Sequence, residues 1–170
     1  STRAATILRH LSSVDFRPGG VLPTVDAVLL LDNPSQLRLE IDDLTVPVIN
    51  LHAAPLPGYR GECATYWALY HDEPLEVCAH LVARGVENGP ILGRRRLPVR
   101  TGDNLEAIDR RGYEVCGELA AQVIQDAKCH GIAIAPQEAW QGRTFRGPMP
   151  QDIIDECQRR LQAGEYSHFS

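Results

Sequence analysis

Pro47-Val48-Ile49-Asn50-Leu51-His52 is the most informative segment of the chain, because it has the composition of a buried strand and carries polar residues at its carboxyl end. Residues two apart on a strand project to the same face, so we expect the Asn50 amide and the His52 imidazole side by side at its carboxyl end. The pair combines a hydrogen-bond donor with a side chain that can carry a proton. It suits a reaction that builds negative charge on a carbonyl oxygen while protons move between nitrogens.

The sequence before this strand predicts a parallel pair. Residues 26–32 are a short apolar run, typical of a strand that is covered on both faces. A turn at Asn33-Pro34-Ser35 and a short helix at residues 36–44 follow. Strand, helix and strand in this order indicate an α/β fold with parallel neighbours.

The sequence after the strand predicts a hairpin and helices. A Pro- and Gly-rich loop comes first, and the reversal signal Asn88-Gly89 separates two strand patterns, so we expect a long antiparallel excursion there. Asp103 is the expected N-cap of a long helix that Gly131 ends. The further expected elements are a helix at 4–11, a helix at 64–70, strands at 77–82 and 91–99, a brief strand at 132–134, and a closing helix at 150–164.

Composition and charge exclude several classes of protein. The 170 residues are 44% hydrophobic and 23% charged, which is enough for one compact domain. The net charge of -5 gives no basic footprint, so nucleic acid is disfavoured as the main partner. No apolar run approaches the ~20 residues of a membrane span. Five cysteines without a CxxC pair indicate free thiols in a reducing compartment, so we expect a cytoplasmic protein without a metal site.

Three segments in order resemble the folate-dependent formyltransferase family, which includes glycinamide ribonucleotide, methionyl-tRNA and sugar-nucleotide formyltransferases. The first runs from Asn50 through the loop Leu56-Pro57-Gly58-Tyr59-Arg60-Gly61. The second runs from Val77-Cys78-Ala79-His80 to Val86-Glu87-Asn88-Gly89-Pro90, and the third comprises residues 135–138, 142–145 and 152–155. The resemblance implies a three-layer, mostly parallel Rossmann-like sheet of the formyltransferase type that has an antiparallel hairpin excursion and lacks the first strands.

The resemblance also implies formyl transfer from 10-formyltetrahydrofolate to the amine of a small-molecule acceptor, through a tetrahedral intermediate and without a metal. Asn50 would donate to the oxyanion, His52 would shuttle protons, and Glu87 would occupy the third catalytic position. The implied cofactor-binding residues are Leu30, Leu31, Asp32, Val82, Ala83, Arg84 and Gly85. The implied substrate-binding residues are Pro57, Tyr59, Arg60 and Gly61.

Departures from the family pattern leave other functions open. Glu87 stands where the family has Asp, and Ala83-Arg84 replaces an acidic pair in the loop that lies against the folate pterin. The alternatives are a non-catalytic module that binds folate or a protein, and a hydrolase that releases formate from 10-formyltetrahydrofolate. Arg60 could bind a substrate anion or fix its loop through carbonyl groups. We expect His80 to be a core histidine rather than a second proton carrier.

The family pattern further predicts the domain organisation. We expect residues 1–170 to form a single formyltransferase-like catalytic domain, shortened at its amino terminus and without the carboxyl-terminal domain of the methionyl-tRNA branch. A shortened sheet would leave an exposed strand edge. We therefore expect this edge to pair with a second copy of the chain in a homodimer, or with a partner chain that completes the sheet.

Overall fold

The computed structural model describes residues 27–31, 46–131, 133–137 and 142–170. The expected helices at 4–11 and 36–44, and Asp32, lie outside the described residues. Within the described residues the elements are β1 (Val28–Leu31), β2 (Val48–His52), β3 (Tyr59–Gly61), α1 (Ala64–Tyr70), β4 (Glu76–Leu81), β5 (Ile91–Arg96), α2 (Leu105–His130), β6 (Arg143–Phe145) and α3 (Gln151–Ala163).

A four-stranded sheet in the order β1-β2-β4-β5 forms the centre of the described part. β1 pairs parallel with β2, whereas β2 with β4 and β4 with β5 are antiparallel. The α/β class, the parallel pair and the hairpin excursion are thus confirmed. The expected mostly parallel character does not apply to the described strands, whose sheet is mixed, because β4 and β5 return as a hairpin beside β2.

The two faces of this sheet differ in chemistry, because successive residues of a strand point to opposite sides. One face, here called the helix face, carries Ile49, Leu51 and Ala79, which share a hydrophobic cluster with buried residues of α2. The other, here called the polar face, carries Asn50, His52 and His80. Both sets of side chains are buried.

The long helix α2 covers the helix face. Its buried residues include the apolar stripe expected from the sequence: Leu105, Ile108, Val115, Leu119 and Val123. The helix ends at Gly131 as expected, but its N-cap is Asn104, whose side chain accepts a hydrogen bond from the backbone N–H of Ala107. The expectation that Asp103 caps the helix is wrong, because its carboxylate instead accepts from the Arg100 N–H and pairs with Arg111.

A second, two-stranded sheet joins segments that are far apart in sequence. β3 and β6 pair parallel, with Tyr59 opposite Arg143 and Gly61 opposite Phe145. The sequence pattern predicts only a loop at β3. A Cβ at Gly61 would clash with the carbonyl oxygen of Phe145, so the close approach of these strands requires glycine there.

Of two further expectations, the structure contradicts one and confirms the other. Residues 133 and 134 are not in a strand; the neighbouring Ala135 forms an isolated antiparallel bridge with Ile91 instead. α3 begins after Pro150 and ends before Gly164, as its terminal residues predict. None of the described helices is long and apolar enough to cross a bilayer.

Candidate active site

Asn50 and His52 lie on the polar face at the carboxyl end of β2, as their spacing predicts. Their exposed fractions are only 3% and 9%. In the register of the sheet, Leu30 of β1 and His80 of β4 are the neighbours of Asn50 on either side. The site is therefore built on the rigid centre of the sheet, where neighbouring strands fix the side chains.

The hydrogen bond of His52 assigns a role to each ring nitrogen. Nε2 lies 2.9 Å from the carbonyl oxygen of Tyr59. A carbonyl oxygen only accepts, so Nε2 carries the proton, and Nδ1 of the neutral ring has a free lone pair. Nδ1 lies 3.8 Å from Oε1 of Glu87. His52 thus presents its basic nitrogen toward a carboxylate.

Glu87 reaches the site from the turn between β4 and β5. Its other carboxylate oxygen, Oε2, accepts a hydrogen bond of 2.6 Å from the backbone N–H of Gly61. The residue has φ 44°, a left-handed conformation that is uncommon outside glycine. The turn therefore directs the Glu87 carboxylate into the space between His52 and β3, although Glu87 is 26 residues from Gly61 in sequence.

Of the implied substrate-binding residues, Gly61 bonds to this carboxylate through its backbone N–H, while Tyr59 and Arg60 are buried on the same strand. Tyr59 contributes its carbonyl oxygen to His52, while its ring stacks on Phe145 with the ring centres 6.0 Å apart. The Arg60 side chain is 1% exposed, and burial lowers the pKa of its guanidinium while the charge of Glu87 raises it. Pro57 is half-buried and lies next to Gly142, at which a Cβ would clash with the Pro57 carbonyl.

The implied cofactor-binding residues lie on the two strands that flank β2, or directly after them. Leu30 is half-buried beside Asn50, and Leu31 is exposed at the end of β1. Val82 continues from β4 and donates its N–H to the carbonyl of Val48 over 2.8 Å. The following residues Ala83, Arg84 and Gly85 are exposed. Asp32 lies outside the described residues.

His80 has a second role that its place in an apolar strand does not reveal. Its Nε2 lies 3.1 Å from the Asn50 amide nitrogen, and its Nδ1 lies 2.9 Å from the carbonyl oxygen of Leu81. Burial lowers the pKa of His80. The sequence-based expectation of a core histidine agrees with its burial, but its hydrogen bond to Asn50 depends on the strand register and leaves no signal in the sequence.

Gln137 also contacts the turn of the site, which the sequence does not predict. Its side-chain amide donates to the carbonyl oxygens of Glu87 and Gly89, and so braces the turn that carries the carboxylate. The motif at residues 135–138 is the signal that could have indicated this role. Among the residues that the structure describes, no group of three or more His, Cys, Asp or Glu side chains could hold a metal ion.

Comparison with curated proteins finds formyltransferases as relatives, although no family model matches the chain. The methionyl-tRNA formyltransferase of Thermodesulfovibrio yellowstonii is 33% identical over 90 residues, which are 52% of this chain and 29% of that protein. The phosphoribosylglycinamide formyltransferase of Mycobacterium tuberculosis is 30% identical over 96 residues, or 56% of this chain and 45% of the relative. The chain therefore spans less than half the length of these relatives.

The fold matches that of solved formyltransferases. The formyltransferase PseJ of Anoxybacillus kamchatkensis, solved with a formamido sugar nucleotide and tetrahydrofolate, superimposes with a TM-score of 0.65 and 21% identity. The match covers 79% of this chain and 70% of that one. In sequence and in fold, the comparisons confirm that this chain resembles the folate-dependent formyltransferase family.

Proposed function

We propose that this chain transfers a formyl group from 10-formyltetrahydrofolate to the amine of a small-molecule acceptor. The observation that carries the proposal is the meeting of Asn50, His52 and Glu87, in which the basic nitrogen of His52 lies 3.8 Å from the Glu87 carboxylate. These groups come from β2 and from the turn before β5. A donor, a base and a carboxylate in one buried site suit acyl transfer to an amine.

Asn50 supplies the hydrogen-bond donor. Its amide nitrogen has two N–H groups, of which one is directed to His80 and the other remains for the formyl oxygen. Negative charge grows on that oxygen as the amine attacks the formyl carbon. In a buried site a fixed N–H stabilises this charge without reorganisation, and removal of such a donor typically costs ~3 kcal/mol of transition-state stabilisation.

His52 and Glu87 move and balance the proton. Nδ1 of His52 takes a proton from the attacking amine, which turns the ring into an imidazolium next to the Glu87 carboxylate. The bond from Nε2 to the Tyr59 carbonyl keeps the ring in place throughout. The same proton is then available for the folate nitrogen that leaves. Glu87 stabilises the charged ring, while the Gly61 N–H fixes the carboxylate.

In the proposal the two substrates contact different segments around this centre. Leu30, Leu31 and residues 82–85 would hold the folate, and Asp32 belongs to the same set. The buried Asn50 Oδ1 has no protein hydrogen-bond partner among the described residues, so it offers an acceptor to a bound substrate N–H. Pro57, Tyr59, Arg60 and Gly61 would contact the acceptor amine. The net charge of -5 favours a small-molecule acceptor over a nucleic acid, and PseJ, which has a similar fold, was solved with a formamido sugar nucleotide.

The test is turnover of 10-formyltetrahydrofolate with a panel of amines, with formate measured in the same reactions. We expect amine-dependent loss of the formyl donor, and a fall of about 100-fold or more for His52→Ala. The matched control is His130→Ala, which changes an exposed histidine at the end of α2 and leaves the rate unchanged.

Three other results would contradict the proposal in different ways. Formate release without an amine identifies a hydrolase that uses the same residues. Folate binding without turnover of any amine identifies a non-catalytic module. Equal rates for the wild type and His52→Ala remove His52 from the mechanism.

A further inference from the structure

His80 and Asn50 form a buried pair across two strands. They are direct partners in the antiparallel register of β2 and β4, so their side chains lie on the same face. Their exposed fractions are 2% and 3%. The Asn50 amide nitrogen lies 3.1 Å from Nε2 of His80, within hydrogen-bond distance.

The second bond of His80 determines which way the Asn50 amide faces. Nδ1 of His80 lies 2.9 Å from the Leu81 carbonyl oxygen, which only accepts, so Nδ1 carries the ring proton. Nε2 of the neutral ring is then an acceptor. Only the NH₂ end of the Asn50 amide can face it, because the opposite orientation would place the carbonyl oxygen against a lone pair.

This orientation decides what Asn50 offers to a substrate. With one N–H of Nδ2 bonded to His80, the second N–H and the carbonyl oxygen remain. The carbonyl oxygen, Oδ1, is buried without a hydrogen-bond partner in the described part of the chain. A reversed amide would exchange these two positions and direct an acceptor at a developing negative charge.

We propose that His80 is a positioning residue for formyl transfer: as a neutral acceptor it holds the Asn50 amide in the orientation that directs an N–H at the formyl oxygen. The inference rests on the proposed function. His80 itself touches no reacting atom and takes up no proton during the reaction. Its effect on the rate passes entirely through Asn50.

A consequence of this arrangement is a loss of activity in acid. A protonated His80 carries N–H groups on both ring nitrogens, so Nε2 would select the Asn50 oxygen and reverse the amide. The charged or titratable groups near His80 are His52 on β2, Arg60 on β3 and Glu87 in the turn. Burial and the positive charges lower the pKa of His80 and Glu87 raises it, so the neutral form prevails above the ordinary value of about 6.5.

The first experiment is a double-mutant cycle on the rate of formyl transfer. We expect His80→Leu to lower kcat about 10-fold to 100-fold with little change in KM, because the amide loses its fixed orientation. In an Asn50→Ala background the same substitution should have no further effect. His80→Gln, whose amide oxygen accepts the same bond and does not titrate, should restore most of the rate and remove the His80 contribution to the acid limb of the pH profile.

The outcomes separate this inference from the proposed function. If Asn50→Ala has the wild-type rate, or the wild type has none, the proposed function fails. If Asn50→Ala loses rate but His80→Leu loses the same factor in both backgrounds, His80 acts independently of Asn50 and the inference fails.

A second experiment uses the wild-type protein and requires no activity assay. Nitrogen-15 NMR of the wild-type protein reports which ring nitrogen of His80 carries the proton. A protonated Nδ1, together with an Asn50 side-chain amide signal that shifts as His80 titrates, supports the proposal. A protonated Nε2 in the neutral ring would overturn it.

Discussion

On the helix face of the sheet, Ile49, Leu51 and Ala79 pack into the main hydrophobic cluster, whereas the polar face buries Asn50, His80 and, somewhat less deeply, His52. The two sets alternate along the same strands. Apolar burial stabilises by about 1.5–3 kcal/mol for each large side chain. Polar burial lowers stability unless hydrogen bonds replace those with water.

The hydrogen bonds of the polar face compensate for only part of this cost. His52 and His80 each bond to a backbone carbonyl, and the Asn50 amide nitrogen bonds to His80. The Asn50 oxygen is left without a protein partner within the described residues. Apolar burial on the helix face therefore offsets the cost of burying the polar side chains on the other face, where the Asn50 oxygen stays available to a substrate. Substitutions on the two faces should therefore separate stability from activity.

The largest effect is expected for Asn50→Asp on the polar face. Asp has nearly the same shape but no N–H, so it cannot donate to the formyl oxygen. We expect formyl transfer to fall by about 10²–10³-fold, while the thermal unfolding midpoint stays within a few degrees, because the new negative charge favours protonation of His80, which can then donate to the carboxylate. Steady-state kinetics and calorimetry check both parts. A rate within a few-fold of wild type would show that the Asn50 donor is not used.

Leu119→Ala on the helix face should give the opposite pattern. Leu119 is 1% exposed and lies against Gly93 of β5. We expect the free energy of unfolding to fall by about 3 kcal/mol, from lost burial and the remaining cavity, with kcat unchanged at temperatures where the protein is folded. Urea unfolding measures the first and turnover the second.

The control for Leu119 is on the same helix. Tyr113 is 59% exposed, so Tyr113→Ala should change the free energy of unfolding by less than about 0.5 kcal/mol. If Leu119→Ala abolished turnover in the folded state, the separation between the two faces would be wrong.

Glu87→Gln tests the contribution of a single charge at the polar face. The amide oxygen can still accept from the Gly61 N–H, so the turn should keep its position, but the charge opposite His52 is lost. Two charges about 4 Å apart in a partly screened site interact by about 2 kcal/mol, so we expect a rate about 30-fold lower. Turnover and unfolding measured together test this. An equal loss in stability would instead make Glu87 a structural residue of the turn.

Local patterns in the sequence predicted the framework well. The apolar run before Asn50, the Asn88-Gly89 reversal and the residues that flank α3 each act over a few positions, and the structure has the corresponding elements. α1 has the bounds expected from the sequence, Ala64–Tyr70. The choice of Asp103 over Asn104 as helix cap failed by one residue, because both side chains suit the position and only the contacts of Asp103 with Arg100 and Arg111 distinguish them.

The missed contacts around the site depend on the pairing of segments that are distant in sequence. The pairing of β3 with β6 joins two strands of three residues each, too short for a periodic signal. The bond between Asn50 and His80 requires the register of β2 and β4, which neither strand specifies alone. The Glu87 carboxylate meets the Gly61 N–H only through the tertiary fold. The sequence could therefore indicate which residues form the site but not how they contact one another.

The smallest effect is expected for Asp103→Asn, at the start of α2 and away from both faces. Hydrogen bonds from Arg111 are the main reason why the pKa of Asp103 is lowered. A carboxylate with a folded pKa below its unfolded value of about 3.9 stabilises the fold above that value. This contribution is lost as the pH falls through the folded pKa.

We therefore expect Asp103→Asn to lower the free energy of unfolding by about 1–2 kcal/mol at pH 6, with the difference from wild type vanishing in strong acid. Glu118→Gln, which removes the exposed ion pair with Arg95 on the same helix, should cost less than about 0.5 kcal/mol. Urea unfolding at several pH values measures both variants. A deficit for Asp103→Asn that persisted below the folded pKa would mean that the side chain acts through its shape, since the charge is then absent in the wild type as well.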